Sequence, residues 1–429
     1  MRIVIGFSRR SGASQPGSFA TFATFPSAVR LLVINQFGVN LGFYMLVPYL
    51  AYVIADDFGH GVVFAGLVLG LRTLSQQGMF LLGGTATDRL GARPVIIAGC
   101  ALRAVGFGLL AVGGVSALLI AGAMVSGLAG ALFNPAVRAY IAESAADRRA
   151  EAFAHFTVAA NAGMLVGPLV GMAFLAVDFR LVAVVASAVF LLLTVAQARN
   201  LPPQPVAPTG DTVLADWRTA VTDVRFVLFA LAGSSLFALH NQLYLLLPLR
   251  ANAALGGSAG IAIVFAVATV VSLTVQIPLT RLLARRVGAH RAIWLGLATI
   301  ATGFATVPAL PSSSGPAAVV PVLICAACLS LGMAMAQPFV LERIAEHART
   351  GLTGTYYGLF YLVSGLAAAG SSVAVGALSD DDGSGTGAWL LCTLAGGACA
   401  LLAACRVTSP RPRPVAAPAV YTTHQGRNR

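Results

Sequence analysis

The side chains able to do chemistry in this chain are sparse, mostly uncharged, and set inside long apolar runs. Gln36, Asn40 and Tyr44 recur every four residues and so share one helix face. Arg72 and Gln76 are spaced the same way, as are His240 and Tyr244, with Asn241 beside them, and Tyr357 and Tyr361. Asn134, Asn161, Gln276 and Gln337 complete the set. Amides and phenols at this spacing offer hydrogen bonds to a ligand, or equally to a neighbouring helix. His240 is the one group in the middle of an apolar run that ordinarily titrates near physiological pH, which makes it the candidate for carrying a proton; a hydrogen-bonded structural histidine is the plainer alternative. Arg72 and Arg103 also stand inside apolar runs, each at roughly 2.5–3.5 kcal/mol on insertion scales, so each needs a partner or water. The chain shows no clustered Ser, His and Asp, no metal-ligand constellation and no phosphate-cradling loop, so neither an enzyme nor a resident metal or cofactor is expected. The cysteines (Cys100, Cys325, Cys328, Cys392, Cys399, Cys405) lie in or at the ends of apolar runs and read as small packing residues.

The elements that carry these residues must be membrane helices. The chain is 58% hydrophobic and 10% charged, with a mean hydropathy of +0.84. A soluble domain cannot hide that much apolar surface, whereas runs of about twenty apolar residues cross a hydrocarbon core of about 30 Å. Twelve spans are expected: 31–54, 62–83, 94–114, 117–141, 152–177, 180–197, 226–248, 259–281, 292–310, 317–341, 352–377 and 387–405. The net charge of +12 does not point to nucleic acid, because the basic residues (all Arg, no Lys) sit largely in short loops, where they set topology. With both termini inside, the inner loops hold Arg89, Arg93, Arg148, Arg149, Arg285, Arg286, Arg291, Arg343 and Arg349. The outer loops hold Arg180 and Arg250 against Asp56, Asp57, Asp178, Asp380, Asp381 and Asp382. The expectation is a multi-pass protein of the cytoplasmic membrane with both termini cytoplasmic. No cleavable leader precedes the first run, which is expected to stay as the first helix.

The chain repeats itself. At a shift of 203 residues GLAGALFNPAVRAYIAESA, from Gly127, lies over SLGMAMAQPFVLERIAEHA, from Ser330, with Pro135 over Pro338 and Glu143 over Glu346. At a shift of 197, RLGARPVIIAG from Arg89 lies over RVGAHRAIWLG from Arg286. Two parallel six-helix halves are implied, 29–198 and 225–406, with a solvated cytoplasmic linker at 199–224 and disordered tails at 1–28 and 407–429.

Two motifs narrow this. Gly84, Asp88, Arg89, Gly91 and Arg93, between spans 2 and 3, resemble the G-x-x-x-D-R-x-G-x-R loop signature of the major facilitator superfamily. Gly163, Gly167, Pro168 and Gly171 in span 5 resemble the G-x-x-x-G-P-x-x-G pattern of its exporters. The strings from Gly70 to Phe107 and from Ser126 to Ala139, with Asp178-Phe-Arg180, are similar to the twelve-span multidrug exporters of the MdtH-like branch. The chain departs from that branch at Asn134 and Gln337, where acids can stand, and at Ala123, the place of an Arg.

The resemblance implies an all-α major facilitator fold with twelve transmembrane helices in two pseudo-symmetric halves. It also implies a substrate cavity lined by spans 1, 4, 7 and 10, and an Asp88 that latches onto the N-terminus of span 11. In the second half Arg285 stands in the place of Asp88. The implied function is export of small amphipathic molecules by a monomer in the bilayer, through alternating access. Proton coupling is left open, with His240, Asp88 and Glu143 as the groups available. An uncoupled facilitator or importer is the alternative, and a non-transporting sensor on the same fold the alternative of another class.

Overall fold

The computed structural model describes residues 18–54, 58, 61–204, 212–255, 258–310, 315–378 and 385–405. Its long helices are α1 (Ser27–Tyr52), α2 (Gly61–Leu90), α3 (Ala92–Val112), α4 (Ser116–Ser144), α5 (Arg149–Leu175) and α6 (Phe179–Asn200) in the first half. The second half holds α7 (Val224–Asn241), α8 (Ser258–Arg286), α9 (Ala289–Ala309), α10 (Val320–His347), α11 (Thr353–Leu378) and α12 (Thr386–Ala404). In hydrocarbon each backbone polar group must be paired within the protein, and a helix does this within one segment. Ten of the described helices are long and apolar enough to cross a membrane. α2 falls outside that set, its apolar run being interrupted by Arg72, Thr73, Ser75, Gln76 and Gln77.

The internal repeat is visible as packing. In the first half α3 packs on α4, α2 on α4, α1 on α5 and α3 on α6; in the second α9 packs on α10, α8 on α10, α7 on α11 and α9 on α12. Single residues obey the same relation. A Cβ on Gly99 would stand 3.0 Å from Phe133 Cβ, and one on Gly296 would stand 2.7 Å from Ala336 Cβ. Those four residues correspond under the two sequence shifts. So do Gly91 and Gly288, which open α3 and α9 with φ of 88° and 84°, a conformation that strains any side chain. Across the halves, α2 meets α11 and α5 meets α8.

Four expectations are corrected. Residues 18–28 are not a tail: Ser18–Ala23 is helical, Phe25 is buried, and His155 packs between the rings of Phe22 and Phe25. The linker is not solvated throughout, because Val213–Val221 forms a helix whose Asp216 is only 3% exposed and pairs with Arg89 at 2.7 Å. Span 7 is broken: a 3-10 turn at Gln242–Tyr244 follows α7, and Leu246–Leu255 resumes the helix. Several helices also outrun the apolar spans by a turn or more, α2 to Leu90 and α8 to Arg286, because charged residues continue a helix into water at no cost to its hydrogen bonding. Asp56, Asp57, Asp380, Asp381, Asp382, residues 205–211 and the tails 1–17 and 406–429 lie outside the described residues. The cysteines are unpaired.

Candidate functional site

Two places join the halves: a contact at the end of the bundle that carries the Gly84–Arg93 loop, called here the loop end, and a cavity at its centre.

At the loop end α2 and α11 approach until backbone meets backbone. A Cβ on Gly84 would overlap the Gly354 carbonyl, and one on Gly354 would overlap the Gly84 carbonyl and stand 2.9 Å from Asp88 Oδ1. That closeness lets Asp88 reach the first turn of α11: Gly354 N–H donates to Oδ1 at 2.6 Å and Thr355 N–H to Oδ2 at 2.7 Å. These are groups that a helix leaves unpaired at its start, and their partial positive charge favours a carboxylate. Burial acts against them and pushes the Asp88 carboxyl up to about 7. The rest of the loop holds its own half together. Arg93 donates to the carbonyls of Leu201 (2.6 Å) and Ala198 (2.7 Å), satisfying the C-terminus of α6, while Arg89 binds Asp216 of the linker helix.

A second connection at the loop end was not legible in the motifs. Glu151, in the first turn of α5, accepts from Arg281 of α8 at 2.7 Å across the halves and also pairs with Arg148 at 2.9 Å. By the shifts of 203 and 197 residues Glu151 and Arg281 stand where Gly354 and Gly84 meet in the other contact, so an ion pair on one side answers a backbone contact on the other, while Arg285 holds the place of Asp88. Glu151 and Arg281 stand at the edges of their apolar spans, where a charge reads as a topology signal.

Farther along, α2 and α11 part. Gly84, Gln77 and Gly70 recur every seven residues and share one face of α2. Gln77 lies against Gly365, but a Cβ on Gly70 would meet nothing within 4 Å.

The central cavity has a volume of about 250 Å³. Of the sequence-predicted residues it is lined by Gln36, Asn40, Asn134, Asn161, His240, Gln276 and Gln337. Gln36 donates to Asn40 Oδ1 (2.9 Å), Asn40 to the Ala160 carbonyl (2.9 Å), and Asn161 to Ser272 Oγ across the halves (2.6 Å). His240 Nδ1 is buried without a hydrogen-bond partner among the described residues.

The other candidate residues are not part of that lining. Arg72 donates to Gln76 Oε1 (3.0 Å) and lies 4.6 Å from the Phe43 ring; Arg103, 6% exposed, lies among Phe43, Phe133 and Phe190. Both guanidiniums are therefore held by rings inside the first half, with Tyr44 nearby, and neither has a carboxylate in ion-pair contact among the described residues. Tyr357 is fully buried and donates to the Leu341 carbonyl (2.6 Å), because its neighbours on α10 close over it. Tyr361 packs its ring under Arg138 at 4.7 Å. Asn241 binds Ser372 of α11 (2.8 Å), and Tyr244, 46% exposed, stands at the cavity's edge: it donates to Met164 Sδ at 3.6 Å, and its ring lies 5.5 Å from that of Phe265 and 6.1 Å from that of His240. Arg138 lines the cavity and was missed; its signal was the spacing of one helical turn from Asn134.

The glycine ladder of α5 is a seat for α1. A Cβ on Gly163 would stand 2.9 Å from Asn40 Cβ and one on Gly167 2.8 Å from Tyr44 Cβ, while one on Gly171 would overlap the Met45 carbonyl. The Pro168 carbonyl accepts from Tyr49 Oη at 2.7 Å.

Known proteins agree with this architecture. Residues 32–372 match the model of the Major Facilitator Superfamily. An uncharacterized MFS-type transporter of Mycobacterium tuberculosis is 40% identical over 369 residues, 84% of this chain and 88% of the relative. The multidrug resistance protein MdtH of Aeromonas salmonicida is 30% identical over 350 residues, 81% of this chain and 87% of the relative. Among solved structures, the Escherichia coli fucose:proton symporter FucP superposes with a TM-score of 0.73 at 14% identity, covering 92% of this chain and 100% of that one.

Proposed function

We propose that this chain, which belongs to the major facilitator superfamily, is a secondary exporter of small amphipathic molecules that works by alternating access. The observation that carries the reading is a polar cavity between the halves, at the loop end of which Asp88 grips the N-terminus of α11. The Arg-rich loop end is taken as cytoplasmic and the protein as a cytoplasmic-membrane monomer with both termini inside; the structure is then the state closed to the cytoplasm. Releasing Asp88 and the Glu151–Arg281 pair lets α2 and α5 swing from α11 and α8 and opens the cavity inward. Resemblance of the Gly163–Gly171 ladder to the exporter pattern supports the direction. The cavity suits amphipathic substrates better than sugars, since its amides are few and interspersed with Phe156, Leu243, Phe265, Met333 and Leu341.

His240 is the proposed proton carrier if export is coupled, because it lines the cavity with an unpaired ring nitrogen. One observation favours the alternative of an uncoupled facilitator or importer: no carboxylate lines the cavity among the described residues. Transport of a compound panel into vesicles of known orientation, with and without a pH gradient, separates the readings. Uptake into inside-out vesicles that rises with an imposed gradient supports coupled export; movement indifferent to the gradient favours the facilitator. Tags at residue 429 and near residue 208 are expected to be unreachable from outside intact cells, and labelling of either refutes the topology.

A further inference from the structure

Among the described residues that line the central cavity, Arg138 is the one charged side chain. It follows Asn134 by one turn of α4, and the repeat places Gln337 and Leu341 of α10 at the equivalent positions. All four line the cavity. One half therefore presents an amide and a cation where the other presents an amide and an aliphatic side chain.

The surroundings of Arg138 are neutral. Nη1 donates to the Asn134 carbonyl at 2.9 Å and to Asn134 Oδ1 at 3.3 Å, and the guanidinium lies 4.7 Å from the Tyr361 ring and 5.3 Å from the Phe156 ring. Among the described residues Nε is buried without an acceptor, and none of the ion pairs involves this side chain. Rings and a carbonyl hold a guanidinium in place but do not neutralise its charge. A fixed cation at the edge of a low-dielectric cavity is costly until an anion joins it, and the same cation repels a cationic guest. The wall it faces supplies the apolar complement, with Leu243, Phe265, Met333 and Leu341.

We propose that the central cavity takes organic anions, a carboxylate or sulfonate joined to an apolar body, with the anionic group on Arg138 and the body against α8, α10 and the 3-10 turn that follows α7. This rests on the cavity being the transport site, and it narrows the substrate class within that reading. Arg138 then also excludes the cationic amphiphiles that an acid-lined cavity would accept.

The test uses three probes sharing one aromatic body: naphthalene-1-acetate, its primary amide, and naphthylmethyl-trimethylammonium. Binding is measured on the purified full-length protein in detergent. The carboxylate is expected to bind about tenfold or more tightly than the amide, the difference a charge-assisted pair makes, with the ammonium weakest. Arg138→Gln is expected to bring the carboxylate down to the amide's affinity, and Arg138→Lys to keep a preference for it. Equal affinities for carboxylate and amide, a preference for the ammonium, or no saturable binding of the carboxylate overturns the proposal. Those outcomes are read on the unsubstituted protein, so they do not depend on a variant folding. The direction in which vesicles move the carboxylate is read separately: a bound anion carried inward overturns the exporter reading and leaves the anion site standing.

Discussion

Asp88 on α2 and Thr355 on α11 stand 267 residues apart in the chain, yet the Thr355 backbone N–H donates to an Asp88 carboxylate oxygen at 2.7 Å. The bond is long-range, partly buried, and made between helices that move relative to one another in the proposed cycle. It ties the state of one acid to the closure of the loop end.

Asp88→Asn is expected to express and to lose transport. The amide replaces one acceptor oxygen by an N–H₂ that must face a backbone N–H, leaving buried donors unmatched at a cost of roughly 1–3 kcal/mol to the closed state. Spin labels at Leu90 and Thr350 in a cysteine-free background report closure as a short distance. A distance distribution unchanged by the substitution reduces Asp88 to a topological marker.

Closure is also expected to depend on pH through Asp88. Its carboxyl is raised to about 7 when buried, from an ordinary 3.8 when hydrated, so the closed state holds the proton more tightly. The closed population therefore rises as pH falls through about 7 and is least favoured above it. The same labels, followed between about pH 8 and 6, are expected to show this in the unsubstituted protein and a flat profile in Asp88→Asn.

The Glu151–Arg281 pair is expected to add a smaller, separable contribution. Its side chains are 17% and 14% exposed, between the surface and buried cases, so Glu151→Gln or Arg281→Gln is expected to weaken closure by about 1–3 kcal/mol. The double variant is expected to cost less than the sum of the singles. Strict additivity shows that the two do not act together.

Gly84→Ala probes the approach of α2 to α11 without touching a charge. The new methyl overlaps the Gly354 carbonyl, so the helices must separate, at about 1–3 kcal/mol. Longer label distances and a loop end open to thiol reagents are expected. A closed, active Gly84→Ala protein shows that the contact yields more readily than the backbone geometry indicates.

His240→Gln keeps a hydrogen-bonding side chain but cannot titrate. It is expected to abolish concentrative export while keeping downhill exchange. Pumping against a gradient with unchanged pH dependence moves the coupling role to the loop acids, Glu143 and Asp88.

Much of the architecture was legible because a membrane enforces it locally. A run of apolar residues with no water to satisfy its backbone must be a helix, and the spans read from the sequence lie within a few residues of most of the helices found. The repeat was legible for a related reason: equivalent packing demands equivalent small residues, and Gly99 and Gly296 keep their places in both halves. The Asp88 loop was readable as a motif because a positive φ at Gly91 and a backbone contact at Gly84 admit few other residues.

The lining of the cavity was much less legible. Spacing by four places residues on one face of a helix, but which face meets a cavity is set by how the helix is rotated against its neighbours. Arg72, Gln76 and Tyr357 met the spacing rule and are enclosed elsewhere, the first two beside the rings of the first half and the third under α10. Arg138, near the end of an apolar run, carried no signal beyond its distance of one turn from Asn134, yet lines the cavity. The break at Gln242–Tyr244 did have a signal: Pro248, four residues after Tyr244, cannot donate to the Tyr244 carbonyl and crowds it, while contacts of Asn241 and Gln242 with α11 hold the turn in the folded state. By itself the sequence determined which segments are helices and that they repeat, because those outcomes follow from each residue's own solvation and size. The tertiary structure decided which polar groups share a space, because that depends on rotations and crossings set jointly by helices distant in the chain.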